Sequence, residues 1–404
     1  MTATSPKEPL AADIPKQGPT IHWAFLDGLR GVAALYVVLF HFVALGYRGD
    51  SHVIHRITSF LSFGHTAVNI FIVLSGFSLM LPVARSLDGR LRGGWQNYLR
   101  RRALRIIPPY YAALAISVIV DAFVLRMGEE SRFATGIRPG EINLASILAH
   151  LALIHNIHAL WHGDYNMAMW SVATEWQIYF LLPSLLLPVW RRFGISGMVI
   201  TGVTLGLLPI FSPIHDIYLA CFWYIGLFSI GAAGAVFATK MLANENGIPV
   251  RRLNAVLVVA AVVLAAMYAI ALKFYPAHTV TYAFKDYGVF YMCYAIRDTI
   301  IGCLTLCLIL YCVPSMKKEN RSGIIVKILS LPVLVTLGAF SYSLYLTHCT
   351  VLRLTDLVTF NMHYSANMAL MINTFIALPI AIVFAYLFHI VCERPFMQMR
   401  NKTR

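Results

Sequence analysis

The sequence predicts an all-α protein of the polytopic membrane class, a bundle of about ten transmembrane helices with one short re-entrant or interfacial helix. Three observations predict it. Of the 404 residues, 59% are hydrophobic and 12% charged, about half the charge fraction of a soluble domain. The apolar residues gather into runs long enough to cross a bilayer, such as Ala255–Leu272 and Met368–Val391. The basic residues gather between those runs, mostly on one side of them.

Residues 1–20 are polar and Pro-bearing and lack the apolar core of a cleavable signal, and residues 1–25 are expected to form a cytoplasmic tail. The first apolar run, Phe25 to Tyr47, is long enough to serve as an uncleaved signal-anchor. Spans follow near 26–47, 66–84, 106–125, 167–189, 195–212, 217–238, 253–273, 287–312, 332–352 and 368–391. Leu144–Leu160 is apolar but short and interrupted by His150, His155 and His158, which makes it the re-entrant or interfacial piece. Residues 26–392 then form one membrane domain and 393–404 a second cytoplasmic tail. With the N-terminus inside, 22 of the 32 basic residues fall on the cytoplasmic side and 8 on the other. That bias sets the orientation and suits a bacterial inner membrane. No internal repeat is visible, and the longest outer loop, about Arg126–Asn143, is too short to fold alone.

A formal charge of +14 in a soluble chain would suggest nucleic acid. Here the positive-inside pattern accounts for it, and no nucleic-acid partner is expected. The seven cysteines lie in or beside apolar runs with no C-x-x-C pair, so neither a disulfide framework nor a metal site is expected. Gly-rich phosphate loops and G-x-S-x-G elbows are also missing, which argues against nucleotide hydrolysis and a serine-hydrolase elbow.

Four groups carry chemistry. In the first span Arg30 and His41 are eleven residues apart, roughly three turns and about 16 Å along one helix face. Ionisable residues inside a span are costly and are functional candidates by default, although Arg30 could simply snorkel and His41 could be a satisfied packing residue. Arg102 and Arg105, three apart, stand where a basic cytoplasmic loop enters the third span. They suit bidentate phosphate contact, against ordinary positive-inside charge or anionic lipid contact. Trp170-Ser171-x3-Glu175 brings a carboxylate into the membrane at about the depth of His41, where it could orient the imidazole. Ser341, Tyr345 and His348 share a face of the ninth span at i, i+4, i+7. Arg297-Asp298 is a further charged pair inside the eighth span, and Ser75 in Leu74-Ser-Gly-Phe77 reads as a small packing residue.

Taken in order, these groups resemble the acyltransferase 3 family of membrane O-acyltransferases. The resemblance runs from Gly28-Leu-Arg-Gly-Val-Ala-Ala to Glu393-Arg-Pro395 and covers nearly the whole chain. It rests on Arg30-x10-His41, Val68-Asn-Ile-Phe-Ile-Val-Leu-Ser75-Gly-Phe, Arg102-x-x-Arg105, Trp170-Ser-x3-Glu175 and Ser341-Tyr-Ser-Leu-Tyr-Leu-Thr-His348. The family implies a ten-helix core that moves an acyl group, commonly acetyl, from acyl-CoA to a hydroxyl, often on a cell-envelope or exported carbohydrate. Carried over by position, His41 is the general base, Arg30 helps hold it or the donor, Arg102 and Arg105 hold the CoA phosphates, and Glu175 is an active-site carboxylate. Trp170, Ser341, Tyr345, His348 and Arg297 are secondary or acceptor-side candidates. Asn69 stands where many relatives carry Asp, and a second acyl-relay serine on an appended hydrolase-like domain is not expected. The rival reading is a proton-coupled transporter of a small polar or anionic solute using Arg297, Asp298, His41 and Glu175, against which no matching halves are visible. A receptor or structural protein would leave the Arg30–His41 alignment to chance.

Overall fold

A computed structural model describes residues 23–45, 47, 49, 51–128, 142–243, 287–317 and 323–402. The expected span 253–273 lies outside the described residues. The described chain is helical and contains no strand, as a chain that must satisfy its backbone inside lipid requires. Seven helical runs among the described residues are long and apolar enough to cross a membrane: Ala24–Ala44, His52–Ala84, Gly94–Arg126, Met169–Phe211, Asp216–Ala243, Tyr291–Ser315 and Ala366–Met399.

Helix α1 (Ala24–Leu39) passes into a π-helical turn, Phe40–Leu45, at the residue before His41. After a short α2 (His52–Thr58) comes α3 (Gly64–Ala84), buried on most of its surface and therefore central. Helix α4 (Gly94–Arg126) is 33 residues long, about 50 Å at 1.5 Å per residue and well beyond the ~30 Å hydrocarbon layer. Arg102 and Arg105 therefore stand on regular helix rather than in a loop running into one, a correction to the sequence expectation. Helix α5 (Leu144–Leu151) has only eight residues, too few to span.

The 43-residue run Met169–Phe211 covers two expected spans. It holds α6 (Met169–Leu181) and α7 (Leu187–Leu207), and Gly194 leaves the helical region inside α7 with φ 71° and ψ −165°. Helix α8 (Tyr224–Ala243) follows, and α9 (Tyr287–Cys312) carries Arg297 and Asp298. The expected span 332–352 is not one helix. Beyond α10 (Ile324–Leu329), α11 (Pro332–Ala339) stops at Phe340, and α12 (Ser341–Asn361) starts afresh. Residues Ser343 to Leu352 of α12 are all buried. A helix wrapped by protein on all sides can hold serines, threonines and a histidine at no lipid cost, which is why it lacks the apolar signature of its neighbours. The last segment runs through α13 (Ala366–Ile372), α14 (Leu378–Phe388) and α15 (Arg394–Lys402), with π turns between them. The stretch expected as a C-terminal tail is thus helical as far as Lys402.

Helices α3 and α8 pack at glycines. A Cβ on Gly231 would lie 2.1 Å from the Val73 carbonyl oxygen, and one on Gly76 would lie 2.1 Å from that of Phe228. Small residues let membrane helices approach this closely, and close approach supplies the packing energy that a hydrophobic drive supplies in water. Gly231→Ala should force the pair apart and cost about 1–3 kcal/mol, the usual cost of overpacking. Thermal melting in detergent checks it, with Gly163→Ala as the control, since nothing lies within 4 Å of a Cβ there. Equal melting of both variants would contradict the packing account.

Candidate active site

Five helices enclose a cavity of roughly 760 Å3, counting its open mouth. Arg30 of α1, Ser75 and Ser78 of α3, Arg102 and Arg105 of α4, Glu175 and Tyr179 of α6, and Ser341 and Tyr345 of α12 line it. The i, i+3 spacing of Arg102 and Arg105 puts both on the cavity face of α4. Arg30 donates to Asp27 Oδ1 and to Ser78 Oγ, each at 2.6 Å, which fixes its guanidinium in the wall. Arg102 differs: its Nε is buried without a hydrogen-bond partner among the described residues. A buried donor left unpaired is costly, and an anion in the cavity would satisfy it.

Glu175 does not sit beside His41. Its Oε1 accepts a 2.5 Å hydrogen bond from the Tyr179 hydroxyl, inside the basic cavity. The Tyr179 oxygen lies 2.8 Å from Ser75 Oγ. Because the single phenolic proton goes to the carboxylate, Ser75 donates in that contact. The expectation rested on depth alone. Depth along one helix says nothing of its azimuth, and α6 turns Glu175 toward the arginines. Ser75, which the sequence offers as a small packing residue, instead lines the cavity, and Tyr179 and Ser78 do not stand out in the sequence; the i, i+4 spacing of Glu175 and Tyr179 is the available signal.

In the cavity lining the Ser171 and Tyr345 hydroxyls meet at 2.7 Å. Past Tyr345, whose ring centroid is 5.9 Å from that of His348, stands a pair of imidazoles. His348 and His41 have ring centroids 4.9 Å apart. His41 Nδ1 lies 2.8 Å from the Val37 carbonyl oxygen, and His348 Nδ1 lies 3.1 Å from that of Leu344. A carbonyl can only accept, so both rings carry their proton on Nδ1 when neutral. His348 Nε2 is then a lone pair, 3.2 Å from His41 Nδ1 and 3.3 Å from Cys349 Sγ. His41 Nε2 is a lone pair too, with no hydrogen bond to it among the described residues.

Arg30 and His41 thus serve different neighbours. Arg30 reaches α3 through Ser78, and His41 meets α12 through His348. His41 does not line the cavity that holds Arg30; its partner His348 lies beside Tyr345, which does.

Trp170 and Arg297 belong to a second cluster. The Trp170 ring stacks on His65 at 5.3 Å and on His162 at 5.3 Å. Asp298 accepts from Arg297 at 2.8 Å and from Trp223 Nε1 at 2.9 Å, and lies 3.5 Å from His65 Nε2. The Arg297 guanidinium sits 4.2 Å over the Tyr294 ring. Neither residue lines the basic cavity, so the structure divides the expected site residues among three places: the cavity, the His41–His348 pair and the His65 cluster.

The acyltransferase domain model of the acyltransferase 3 family matches residues 23–392. A Staphylococcus aureus protein named as an O-acetyltransferase is 25% identical over 388 residues, 92% of this chain and 56% of that protein. Protein 2 of the picA locus of Rhizobium radiobacter is 29% identical over 167 residues, 40% of this chain and 78% of that protein. The regulator of hypoxia-inducible factor 1 from Caenorhabditis elegans is 26% identical over 200 residues, 45% of this chain and 37% of that protein. The chain thus spans about half the length of the staphylococcal relative and about a third of the nematode one. No solved structure matches it.

Proposed function

The chain belongs to the acyltransferase 3 family, and on that premise we propose that it is a membrane O-acyltransferase that draws acyl-CoA into the basic cavity. The acyl group, acetyl in the simplest case, passes to a hydroxyl of a cell-envelope or exported carbohydrate. The observation that carries this reading is three guanidiniums on one cavity, Arg30, Arg102 and Arg105, one of them with a buried donor unpaired among the described residues. That is the recognition chemistry of a phosphorylated ligand. The rival transporter path is less well supported, because Arg297 and Asp298, His41 and Glu175 lie in three separate clusters.

In this reading about ten spans place both termini in the cytoplasm, so the cavity mouth faces the cytosolic pool of acyl-CoA. The membrane domain is residues 26–392, in a bacterial inner membrane. The phosphates rest among Arg30, Arg102 and Arg105, and the thin pantetheine arm carries the thioester past the Tyr345 phenol toward the imidazoles. His41 Nε2 takes the proton of the acceptor hydroxyl as its oxygen attacks the thioester carbonyl. The carbon–sulfur bond then breaks, and the departing thiolate takes the proton from His41. Glu175, hydrogen-bonded to Tyr179, offsets part of the charge of the arginines and keeps the cavity wall ordered.

His348 acts here as a positioning residue. Its Nε2 faces the Nδ1–H of His41 and, with the Val37 carbonyl, holds the tautomer in which His41 Nε2 is the base. His348→Ala should lower kcat about three- to tenfold, the worth of one neutral hydrogen bond, and leave the KM for acyl-CoA unchanged. His348→Gln, whose amide oxygen can accept that proton, should recover most of the loss. A matching fall for Ala and Gln would rule out this role.

The reaction is tested in proteoliposomes with radiolabelled acetyl-CoA, reading release of free CoA thiol together with label in an acceptor. Candidate acceptors come from mass spectrometry of acyl esters missing from a deletion strain. Absence of label transfer to any material that lost its esters in that strain would reject the proposal.

A further inference from the structure

His41, His348 and Cys349 bring three potential metal ligands together across the bundle, from α1's π turn and from α12, 307 residues apart in sequence for the two histidines. One donor atom from each lies within 4.8 Å of the other two. His348 Nε2 is the hub, 3.2 Å from His41 Nδ1 and 3.3 Å from Cys349 Sγ. Tetrahedral zinc with Zn–N near 2.05 Å and Zn–S near 2.3 Å sets its ligand atoms about 3.3 Å apart for two nitrogens and about 3.6 Å for nitrogen and sulfur. The two spacings at His348 Nε2 fall within a few tenths of an ångström of these values, and the third, between His41 and Cys349, is within 4.8 Å, a gap that the move of the His41 ring onto the ion would close. His348 and Cys349 are buried, and the His348 Nδ1–H already donates to the Leu344 carbonyl, the outer partner that orients a metal-bound imidazole.

We propose that His41, His348 and Cys349 form a binding site for zinc(II), with the fourth position left to water or another small ligand. Two imidazoles and one thiolate suit this borderline-soft cation and disfavour magnesium or calcium, which take oxygen. On binding, the Cys349 thiol releases its proton to solvent and His348 offers the Nε2 lone pair it already has. His41 moves its proton from Nδ1 to Nε2, gives up the Val37 carbonyl and ligates through Nδ1. One proton leaves per zinc ion. Zinc so held leaves His41 without a free lone pair, which makes the ion an inhibitor of acyl transfer. That consequence rests on the function proposed above, whereas binding itself does not.

Cobalt(II) as a spectroscopic probe of the purified full-length protein separates the two. A thiolate-to-cobalt charge-transfer band in the near ultraviolet, displaced by zinc, is expected in the native protein. It should persist when the other six cysteines are replaced by serine and vanish in Cys349→Ser. Zinc affinity should fall at least about a hundredfold in Cys349→Ser, since removing a mere outer partner of a metal site already costs 10- to 100-fold. A band unchanged in Cys349→Ser, or none in the protein that keeps Cys349 alone, overturns the site. The single-cysteine protein carries the test if Cys349→Ser does not insert. With binding established, zinc-insensitive acyl transfer would count against His41 as the base and leave the metal site standing.

Discussion

Replacing His41 by alanine should lower acyl transfer by about 10²- to 10⁴-fold, the usual contribution of a general base. A sugar hydroxyl is a poor nucleophile near neutral pH, and on this reading His41 Nε2 is the only base supplied to it. The ring is held by the Val37 carbonyl and His348 rather than by the cavity arginines, so binding of acyl-CoA should survive the substitution. Two measurements on one preparation check this: label transfer from acetyl-CoA, and equilibrium binding of a non-hydrolysable acyl-CoA analogue. Monodisperse elution in detergent shows that the variant has folded. Near-normal turnover in a protein that still binds the analogue would remove His41 from the chemistry. Loss of binding together with turnover would move it to the donor site.

Arg102→Ala is expected to weaken acyl-CoA binding by about ten- to a hundredfold, corresponding to the 1.5–3 kcal/mol of a hydrogen bond to a charged group. Arg102 is the sharper choice among the three cavity arginines. Arg30 is tied to Asp27 and Ser78, so its removal would disturb the α1–α3 contact as well as the ligand. Arg102 keeps a buried Nε without a partner among the described residues, the mark of a group arranged for something that arrives later. Arg102→Lys keeps the charge but loses the planar fork and should recover only part of the affinity. The control is a substrate without phosphates. Turnover of S-acetylpantetheine should be the same in the native and Arg102→Ala proteins, because nothing in that molecule meets the guanidinium. If both donors suffered alike, Arg102 would be a structural residue and the phosphate clamp would have to lie elsewhere.

Several features of the site could be read along the chain. The i, i+3 pair Arg102 and Arg105 does face one cavity. Ser341, Tyr345 and His348 do share a helix, with the first two on the cavity and the third just beyond it. These are relations within one helix, and helical periodicity supplies them directly. Relations between helices came out differently. Glu175 went to Tyr179 and the arginines rather than to His41. Trp170 and Arg297 joined His65 in a separate cluster. The break at Phe340 was hidden because Pro332–Leu352 is apolar enough to read as one span.

By itself the sequence determined the membrane class, the helical content, most span positions and the arginine spacing. Each follows from a rule acting along one chain segment: lipid offers no hydrogen bonds, so the backbone must coil on itself and apolar runs must match the bilayer. Only the tertiary structure decided which helix each polar side chain faces, and so the pairing of His41 with His348 and Cys349 and the grouping of Arg30 with Arg102 and Arg105. The reason is that lipid and protein interior are equally apolar. A hydrophobic pattern in such a chain does not distinguish the face turned outward from the face turned to a neighbour, and close contacts such as that of Gly231 with Val73 make that choice instead.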